Sequence, residues 1–192
     1  MITLDGVLQA PGGKEEDESG VFKYGGWTAP YADGYGGQIL REQLGHPFDL
    51  LLGRKTYDIW KAYWPQNKDN FIGASFDSAT KYVASTTLTK SDWEKTVILK
   101  DDVVNEIRKL KQSDGPELQV HGSGHFIQTL LKNDLVDELW LKIFPITLGA
   151  GKRLFDGGSI PAAFTMQGCS HSPGGVIFAN FKRDGEVKTG SI

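Results

Sequence analysis

Cysteine is nearly absent from this sequence, with Cys169 the only one among 192 residues. A disulfide within the chain is therefore impossible, and a structural zinc site built from several thiolates is excluded as well, so we expect no metal. We interpret Cys169 as a small apolar residue in a strand, with a reactive thiol as the alternative. A folded chain of this size buries roughly 70% of the surface that its unfolded form exposes, so cross-links are not required.

Long apolar runs and a charge excess of one sign are also missing. No stretch approaches the roughly 20 apolar residues that cross a bilayer, and the N-terminus lacks the basic and apolar segments of a signal peptide. The formal net charge of -3 supplies no basic face for nucleic acid, although a few well-placed cations could still bind a small anion. We therefore expect a soluble, cytoplasmic protein that binds neither membranes nor nucleic acid.

Glycine, in contrast, is abundant between residues 5 and 37, where hydrophobic periodicity is weak. Consecutive acidic residues occupy positions 15–18 of the same segment. A long glycine-rich segment in a compact domain is more often a functional loop than a packing element. We predict such a loop here, and a flexible surface insertion is the alternative.

Beyond this segment, short apolar runs alternate with helical periodicity. The apolar runs predict strands at 48–52, 81–85, 96–99, 118–120 and 136–146, and then an antiparallel pair at 164–171 and 176–182. Apolar residues at helical spacing predict helices near 39–44, 55–63, 102–112 and 126–131. This order predicts a single α/β domain over residues 1–192, with helices flanking a mainly parallel central sheet that has an antiparallel C-terminal edge.

The first chemically informative junction joins the strand at 48–52 to the following helix through Gly53, Arg54, Lys55 and Thr56. A helix N-terminus presents unsatisfied N–H groups and the positive end of the helix dipole, which suits a phosphate. The glycine permits close approach of the backbone, and the other three residues add charge and a hydroxyl. A solvated helix start with its cations in water is the alternative.

A second junction, at 120–126, again leads from a strand into a helix and contains Gly122-Ser123-Gly124. Backbone amides in such a turn can hold a diphosphate. The turn is shorter than the Gly-x-Gly-x-x-Gly dinucleotide fingerprint and has no acidic partner at the expected distance, so it is not a standard Rossmann loop. Two junctions of this kind in one small domain favour a dinucleotide, whose phosphate groups lie at separate points.

These motifs, in this order and spacing, resemble the dihydrofolate reductase superfamily: Asp5-Gly6-Val7, Gly53 to Tyr57, Tyr82 to Ser85, Gly122 to Gly124 and Leu139 to Leu141. The segment from Phe144 to Phe155, together with Gln128 to Leu131, is similar to the C-terminal reductase domain of the bifunctional riboflavin-biosynthesis deaminase-reductase. The resemblance extends from Thr3 to about Lys182. It implies a three-layer α/β/α dihydrofolate-reductase-like fold and a stand-alone reductase, since the zinc-deaminase signature is missing.

The resemblance also implies NADPH as the cofactor. It places the phosphates against Gly53, Arg54, Lys55 and Thr56, and the glycine turn over the diphosphate, through Gly122, Ser123, Gly124, His125 and Phe126. The adenosine 2′-phosphate would be approached by Ser85, Thr86 and Thr87. His125 stands where dihydrofolate reductases often have arginine. A cation on the 2′-phosphate favours NADPH over NADH, since a charge-assisted hydrogen bond is worth roughly 1.5–3 kcal/mol.

On the substrate side, the resemblance implies hydride transfer to a flat nitrogen heterocycle, such as the 5-amino-6-(5-phosphoribosylamino)uracil of riboflavin biosynthesis. Asp33 is the candidate proton donor; Asp49 is also possible, and Asp33 could instead cap the next helix. Asp5 and Lys142 are the polar substrate-contacting candidates. The flat ring could stack on Trp27, Tyr31 or Trp64, each of which could equally be ordinary packing.

Two alternatives to this function stay open: a dihydrofolate reductase-type activity, and a module that binds NADPH without turnover. The resemblance further implies a homodimer. Its candidate contacts are the apolar strand at 136–146 and the Leu148-Gly149 region.

Overall fold

The computed structural model describes residues 1–157 and 159–191, and these form two compact units. The parallel unit comprises Gly37–Ile127, and the mixed unit combines Met1–Gly36 with the described residues from Gln128 onward. Each unit contains one four-stranded sheet. That the chain forms a single domain stays a prediction.

The regular elements follow one another in the order that the sequence predicts, with one additional helix and one additional short strand near the N-terminus. They are β1 (Ile2–Thr3), α1 (Gly34–Leu44), β2 (Phe48–Gly53), α2 (Arg54–Tyr63), α3 (Phe71–Ser78), β3 (Lys81–Ala84), β4 (Thr96–Leu99), α4 (Val103–Gln112), β5 (Glu117–Gln119), α5 (Gly124–Lys132), β6 (Glu138–Phe144), β7 (Phe164–His171) and β8 (Ile177–Arg183). Single 3₁₀ turns occur at Ser19–Val21, Ala29–Tyr31 and Trp64–Gln66.

The sheet of the parallel unit has the strand order β4-β3-β2-β5, and all of its neighbouring strands run parallel. Its central strand β2 is apolar except at Asp49, and Leu50, Leu51 and Leu52 are at most 2% exposed. Strands of parallel sheets are covered on both faces, which explains why β2 shows no alternation of polar and apolar residues. The register sets Gly53 beside Ala84, so the carboxyl ends of β2 and β3 meet.

The sheet of the mixed unit has the strand order β1-β6-β8-β7. The short strand β1 runs parallel to β6, and β6, β8 and β7 are antiparallel. A register irregularity lies between Met166 and Gly168 on the edge strand β7. The predicted α/β fold, mostly parallel with an antiparallel C-terminal part, is confirmed.

Two helices differ from the sequence-based prediction because side chains cap them. Helix α1 begins at Gly34, before the apolar positions that start at Ile39, and the Asp33 carboxylate accepts the Gly36 N–H at 2.8 Å. Helix α3 was not predicted, and its first turn is capped by the Asn70 side chain, which accepts the Gly73 N–H at 2.9 Å. Both caps satisfy N–H groups that an isolated helix end leaves open.

The glycine-rich segment is bound to the rest of the mixed unit at several points. The Gln9 side-chain amide donates to the carbonyls of Asp17 and Ser19 at 2.9 and 2.8 Å. Lys152 Nζ lies 2.6 Å from the Asp17 carboxylate, and the indole of Trp27 donates to the Gln9 carbonyl. These contacts are those of an anchored loop rather than a loosely attached insertion.

Cys169 lies in strand β7, as predicted, and its thiol is exposed and unbridged. Within residues 1–157 and 159–191, none of the helices has the length and apolar character needed to span a membrane. The same residues contain no group of three or more His, Cys, Asp or Glu arranged to hold a metal ion.

Candidate active site

The start of helix α2 is an open N-terminus. Strand β2 ends at Gly53 and the helix begins at the next residue, Arg54. Gly53 is the N-cap, with extended backbone angles of -74° and 152°, and it has no side chain with which to cap the first N–H groups. A helix start without a side-chain cap, at the positive end of the helix dipole, suits an anion.

Arg54 connects this helix start to the turn after β3. Its Nη1 donates to Ser85 Oγ at 3.3 Å and to Thr87 Oγ1 at 3.1 Å. Ser85 Oγ also accepts the N–H of Leu88 at 3.0 Å, which shapes the turn. Residues predicted from two distant segments of the sequence thus lie together, because β2 and β3 are parallel neighbours that end at the same edge of the sheet.

The glycine turn packs directly against the start of α2. The Gly53 N–H donates to the Gly122 carbonyl at 3.0 Å. A Cβ added at Gly53 would lie 2.9 Å from the Ser123 backbone N and 2.8 Å from Phe126 Cβ, and one added at Gly122 would overlap Thr56 Oγ1. The peptide bond between Gly122 and Ser123 is cis. Glycine is therefore required at both positions for the two junctions to approach this closely.

The remaining residues of the glycine turn differ in their exposure to solvent. Helix α5 begins at Gly124, and the Ile127 N–H donates to the Ser123 carbonyl at 2.9 Å. His125 is exposed, whereas Phe126 is buried, with 7% of its surface exposed. Any contact of Phe126 with a ligand would therefore be made by its backbone. All the cofactor candidates belong to the parallel unit.

A separate cavity of about 270 Å³ lies in the mixed unit. Its lining contains two of the predicted substrate-side residues and is formed by Pro30, Tyr31, Ala32, Asp33, Gly34, Tyr35, Pro173 and Gly174. One oxygen of Asp33 caps α1, as the alternative interpretation expected. The same carboxylate also borders the cavity, so capping and substrate contact are compatible.

The aromatic candidates differ in their surroundings. Trp27 is 6% exposed and meets Phe144 edge to face at 5.1 Å, so it serves as core packing. Tyr31 is half-buried and also contacts Phe144, at 5.7 Å. Trp64 belongs to the parallel unit, where its ring packs edge to face on Phe76 at 5.1 Å. Only Tyr31 therefore combines partial exposure with a place in the cavity lining.

Asp5 is an anchor for the loop at 148–153. Its carboxylate accepts the Thr3 hydroxyl at 2.5 Å and the N–H groups of Leu148 and Gly149 at 3.2 and 2.8 Å. Arg153 lies 3.5 Å away. The hydrogen bond from Thr3, followed by those from the two N–H groups, lowers the pKa of Asp5 from 3.8 to about 2. Both oxygens of this predicted substrate contact are thus engaged within the protein.

Lys142 lies in β6 and is half-buried, and burial lowers its pKa from 10.5 to about 8. It is directly opposite Phe178 in the register of β6 and β8. Because alternate residues of a strand share a face, Lys142 lies on the same sheet face as Phe144 and Phe178. Those two rings contact Tyr31 and Tyr35 of the cavity, so this face is the one on which the cavity residues pack.

The alternative proton donor, Asp49, belongs to β2 in the parallel unit. Its Oδ1 accepts the Thr80 N–H at 2.9 Å, which supports the start of β3. A residue that the sequence reasoning missed is Asp58, whose two oxygens accept the Arg54 Nε–H at 2.9 and 2.8 Å. Side chains four residues apart on one helix lie next to each other, so the sequence contained a signal for this ion pair.

Comparison with known proteins finds two relatives in one bacterium. In Bacillus subtilis strain 168, the uncharacterized protein YyaP is 36% identical over 158 residues, covering 80% of this chain and 76% of YyaP. The uncharacterized protein YwjB of the same strain is 24% identical over 106 residues, covering 55% of this chain and 57% of YwjB.

Two solved structures show the same fold. A Shewanella sp. PV-4 protein, provisionally assigned to riboflavin biosynthesis, matches with a TM-score of 0.69 at 24% identity, covering 95% of each chain. A pyrimidine reductase-like protein from Corynebacterium diphtheriae matches with a TM-score of 0.59 at 14% identity, covering 95% of this chain and 89% of the other. The protein is thus an α/β protein of the dihydrofolate-reductase-like class.

The family model of the RibD C-terminal domain matches residues 1–178. The chain therefore belongs to the RibD C-terminal domain family, which classes it with reductases of the riboflavin-pathway type.

Proposed function

We propose that the protein is an NADPH-dependent oxidoreductase that transfers a hydride to a flat nitrogen heterocycle, similar to the 5-amino-6-(5-phosphoribosylamino)uracil of riboflavin biosynthesis. The observation that carries this proposal is the cluster at the carboxyl ends of β2 and β3. There Arg54 donates to Ser85 and Thr87 beside the open N-terminus of α2. A guanidinium next to hydroxyl donors is suited to a phosphate on the adenosine ribose.

The residues present fit a dinucleotide. Glycine at positions 53 and 122 lets the two junctions lie side by side, because a Cβ at either position would collide with the neighbouring junction. A glycine turn of this kind offers backbone amides to a diphosphate. Arg54 and Lys55 add positive charge at the first turn of α2. Bound NADPH would supply the hydride, while this chain supplies binding and orientation.

Asp33 is the proton donor in this proposal. It is the one ionisable residue in the lining of the 270 Å³ cavity other than the two tyrosines, and it lies beside the Tyr31 ring that could contact a flat substrate. Replacement by asparagine retains the cap on α1 but removes the acid. A rate unchanged across pH in Asp33→Asn would eliminate this role.

A dihydrofolate reductase-type substrate is the second candidate, and the cavity supports it. The described residues that line the cavity include one carboxylate and neither lysine nor arginine. Such a lining suits a heterocycle with N–H donors, as a pterin has, and it offers a cation neither to a phosphoribosyl arm nor to the glutamate carboxylates of dihydrofolate. Comparing turnover of a phosphoribosylamino pyrimidine with that of dihydrofolate would decide between the two.

A homodimer is also part of the proposal, and an apolar sheet face supports it. In the register of β6, β8 and β7, the apolar residues of this face are Leu139, Leu141, Ile143, Ile177, Ala179, Phe181, Met166 and Cys169, and His171 lies at its edge opposite Ile177. Met166 and Ile177 are 54% and 38% exposed. Contiguous exposed apolar surface is typical of association between subunits. The cytoplasmic location expected from composition stays a prediction.

The first test is a titration of tryptophan fluorescence, for which the five tryptophans serve as reporters. We expect NADPH to quench the emission at lower concentration than NADH does. Quenching by neither nucleotide would refute the reductase proposal. Tight binding of NADPH without its oxidation by any heterocycle would instead favour the non-catalytic NADPH-binding alternative.

A further inference from the structure

A negative charge, that of Asp58, lies directly beside Arg54 of the proposed cofactor site. Both carboxylate oxygens of Asp58 accept the Nε–H of Arg54, at 2.9 and 2.8 Å, one helical turn further along α2. Neither partner is deeply buried, with 38% of the Arg54 side chain and 51% of the Asp58 side chain exposed. Such an exposed pair contributes little to stability, so its main consequence is electrostatic.

The ion pair changes how Arg54 can meet a phosphate. A guanidinium recognises a phosphate best through two N–H groups on one edge. The Nε position is occupied by Asp58, and Nη1 donates to Ser85 and Thr87. The edge that contains Nε is therefore closed to a ligand. A phosphate would meet Nη2, and would reach Nη1 only by replacing Ser85 or Thr87 as its acceptor.

The carboxylate also reduces the local positive charge. Arg54 and Lys55 are the cations of the first turn of α2, and Asp58 offsets one of them, while Ser85, Thr86 and Thr87 are neutral. A phosphate on the Nη groups would lie well within the Debye length of Asp58, which is about 10 Å at 0.1 M salt. A 2′-phosphate carries close to two negative charges and a 2′-hydroxyl none, so Asp58 acts against the phosphate selectively.

We propose that Asp58 determines the cofactor selectivity of this protein, by holding Arg54 in an ion pair that weakens recognition of the 2′-phosphate and keeps NADH usable. The inference rests on the proposed NADPH site. It differs from that proposal because it assigns a specificity-determining role to a residue whose carboxylate opposes the phosphate.

The test measures nucleotide binding by the full chain and by Asp58→Asn at 0.1 M salt. NADPH and NADH are compared by fluorescence, and 2′,5′-ADP and 5′-AMP by calorimetry, so that the readout does not depend on turnover. We expect the affinity ratio of 2′,5′-ADP to 5′-AMP, and that of NADPH to NADH, to rise about three- to tenfold in the variant. The rise should shrink in 0.5 M salt.

Asp114→Asn is the matched control, since it makes the same change of charge at an exposed position in the same unit. Asp114 precedes β5, whose first residue pairs with Phe48 at the start of β2, whereas Arg54 follows the end of β2. The length of a six-residue strand, about 17–20 Å, therefore separates it from the cluster.

The outcomes separate the two proposals. Ratios that rise in Asp58→Asn and stay constant in Asp114→Asn support the inference. Ratios that are unchanged or lower in Asp58→Asn, or that rise equally in both variants, overturn it while leaving the cofactor site intact. Binding of no nucleotide by the native chain or either variant refutes the cofactor proposal itself, and the inference with it.

Discussion

Removal of the Arg54 side chain is the most direct perturbation of the proposed cofactor site. The guanidinium is the only charged group that contacts both Ser85 and Thr87 among the described residues. Arg54→Ala removes this charge and leaves the α2 backbone, with its open N-terminus, in place. Alanine is also the best helix former, so the helix itself should persist.

The expected magnitude follows from the geometry. A charge-assisted hydrogen bond to a phosphate contributes roughly 1.5–3 kcal/mol, which is tenfold to a hundredfold in affinity. Arg54 is partly exposed and is ion-paired with Asp58, so we expect its contribution to lie at the lower end of this energy range. We expect NADPH binding to weaken by about 1.5 kcal/mol, or roughly tenfold, and NADH binding by less than about threefold.

Fluorescence titration of native protein, Arg54→Ala and Arg41→Ala measures this difference. Arg41 is an exposed arginine in the last turn of α1, close in sequence to the start of β2, and its removal serves as the charge-matched control. The control should bind both nucleotides as the native protein does. Equal losses of NADPH and NADH affinity in Arg54→Ala would refute recognition of the 2′-phosphate by this residue.

Three further predictions test the close packing of the junctions, the oligomeric state and an internal anchor. Gly122→Ala should lower the free energy of unfolding, measured in urea, by about 1–3 kcal/mol. The added methyl would overlap Thr56 of α2, and the backbone of Gly122 has a φ of +155°. Met166→Lys combined with Ile177→Lys should give a monomer in light scattering where native protein is a dimer; Val187→Lys, at 51% exposure in the C-terminal tail, should leave the dimer intact. Because the pKa of Asp5 is lowered in the folded state, the Asp5 carboxylate contributes to the free energy of unfolding above about pH 4. This contribution is lost as the pH falls toward 2. Asp5→Asn should therefore lower the free energy of unfolding by about 1–2 kcal/mol at pH 7 and by almost nothing at pH 2. A difference between variant and native protein that does not change with pH would contradict this prediction.

The two cofactor junctions were predictable because their signals are local. An apolar strand that ends in glycine before a helix is visible in the sequence at Gly53, and again at Gly122. Parallel strands of one sheet end at the same edge, so the approach of residues 85–87 to Arg54 follows once the strands are recognised. The structure brings Arg54 together with Ser85 and Thr87, and Gly53 together with Gly122, while the binding of a cofactor by these segments stays a prediction.

Other features were hidden because they depend on contacts between residues far apart in the chain. Nothing in the motif around Asp5 indicates that the N–H groups of Leu148 and Gly149 engage its carboxylate. Helix α3 lacks a strong apolar period, and its start depends on the Asn70 cap. Asp33 looked equally suited to capping and to chemistry, and the structure shows the cap together with a place beside a cavity.

By itself, the sequence determined the α/β class, the order of strands and helices, and the glycine positions of the two junctions, because periodicity and backbone freedom act over a few residues. Only the tertiary structure decided which groups distant in the chain meet. It closed the Asp5 carboxylate on the N–H groups of Leu148 and Gly149, whereas the pair of Arg54 and Asp58 is local to one helix. Electrostatic interactions depend on distance and burial, and the folded chain sets both.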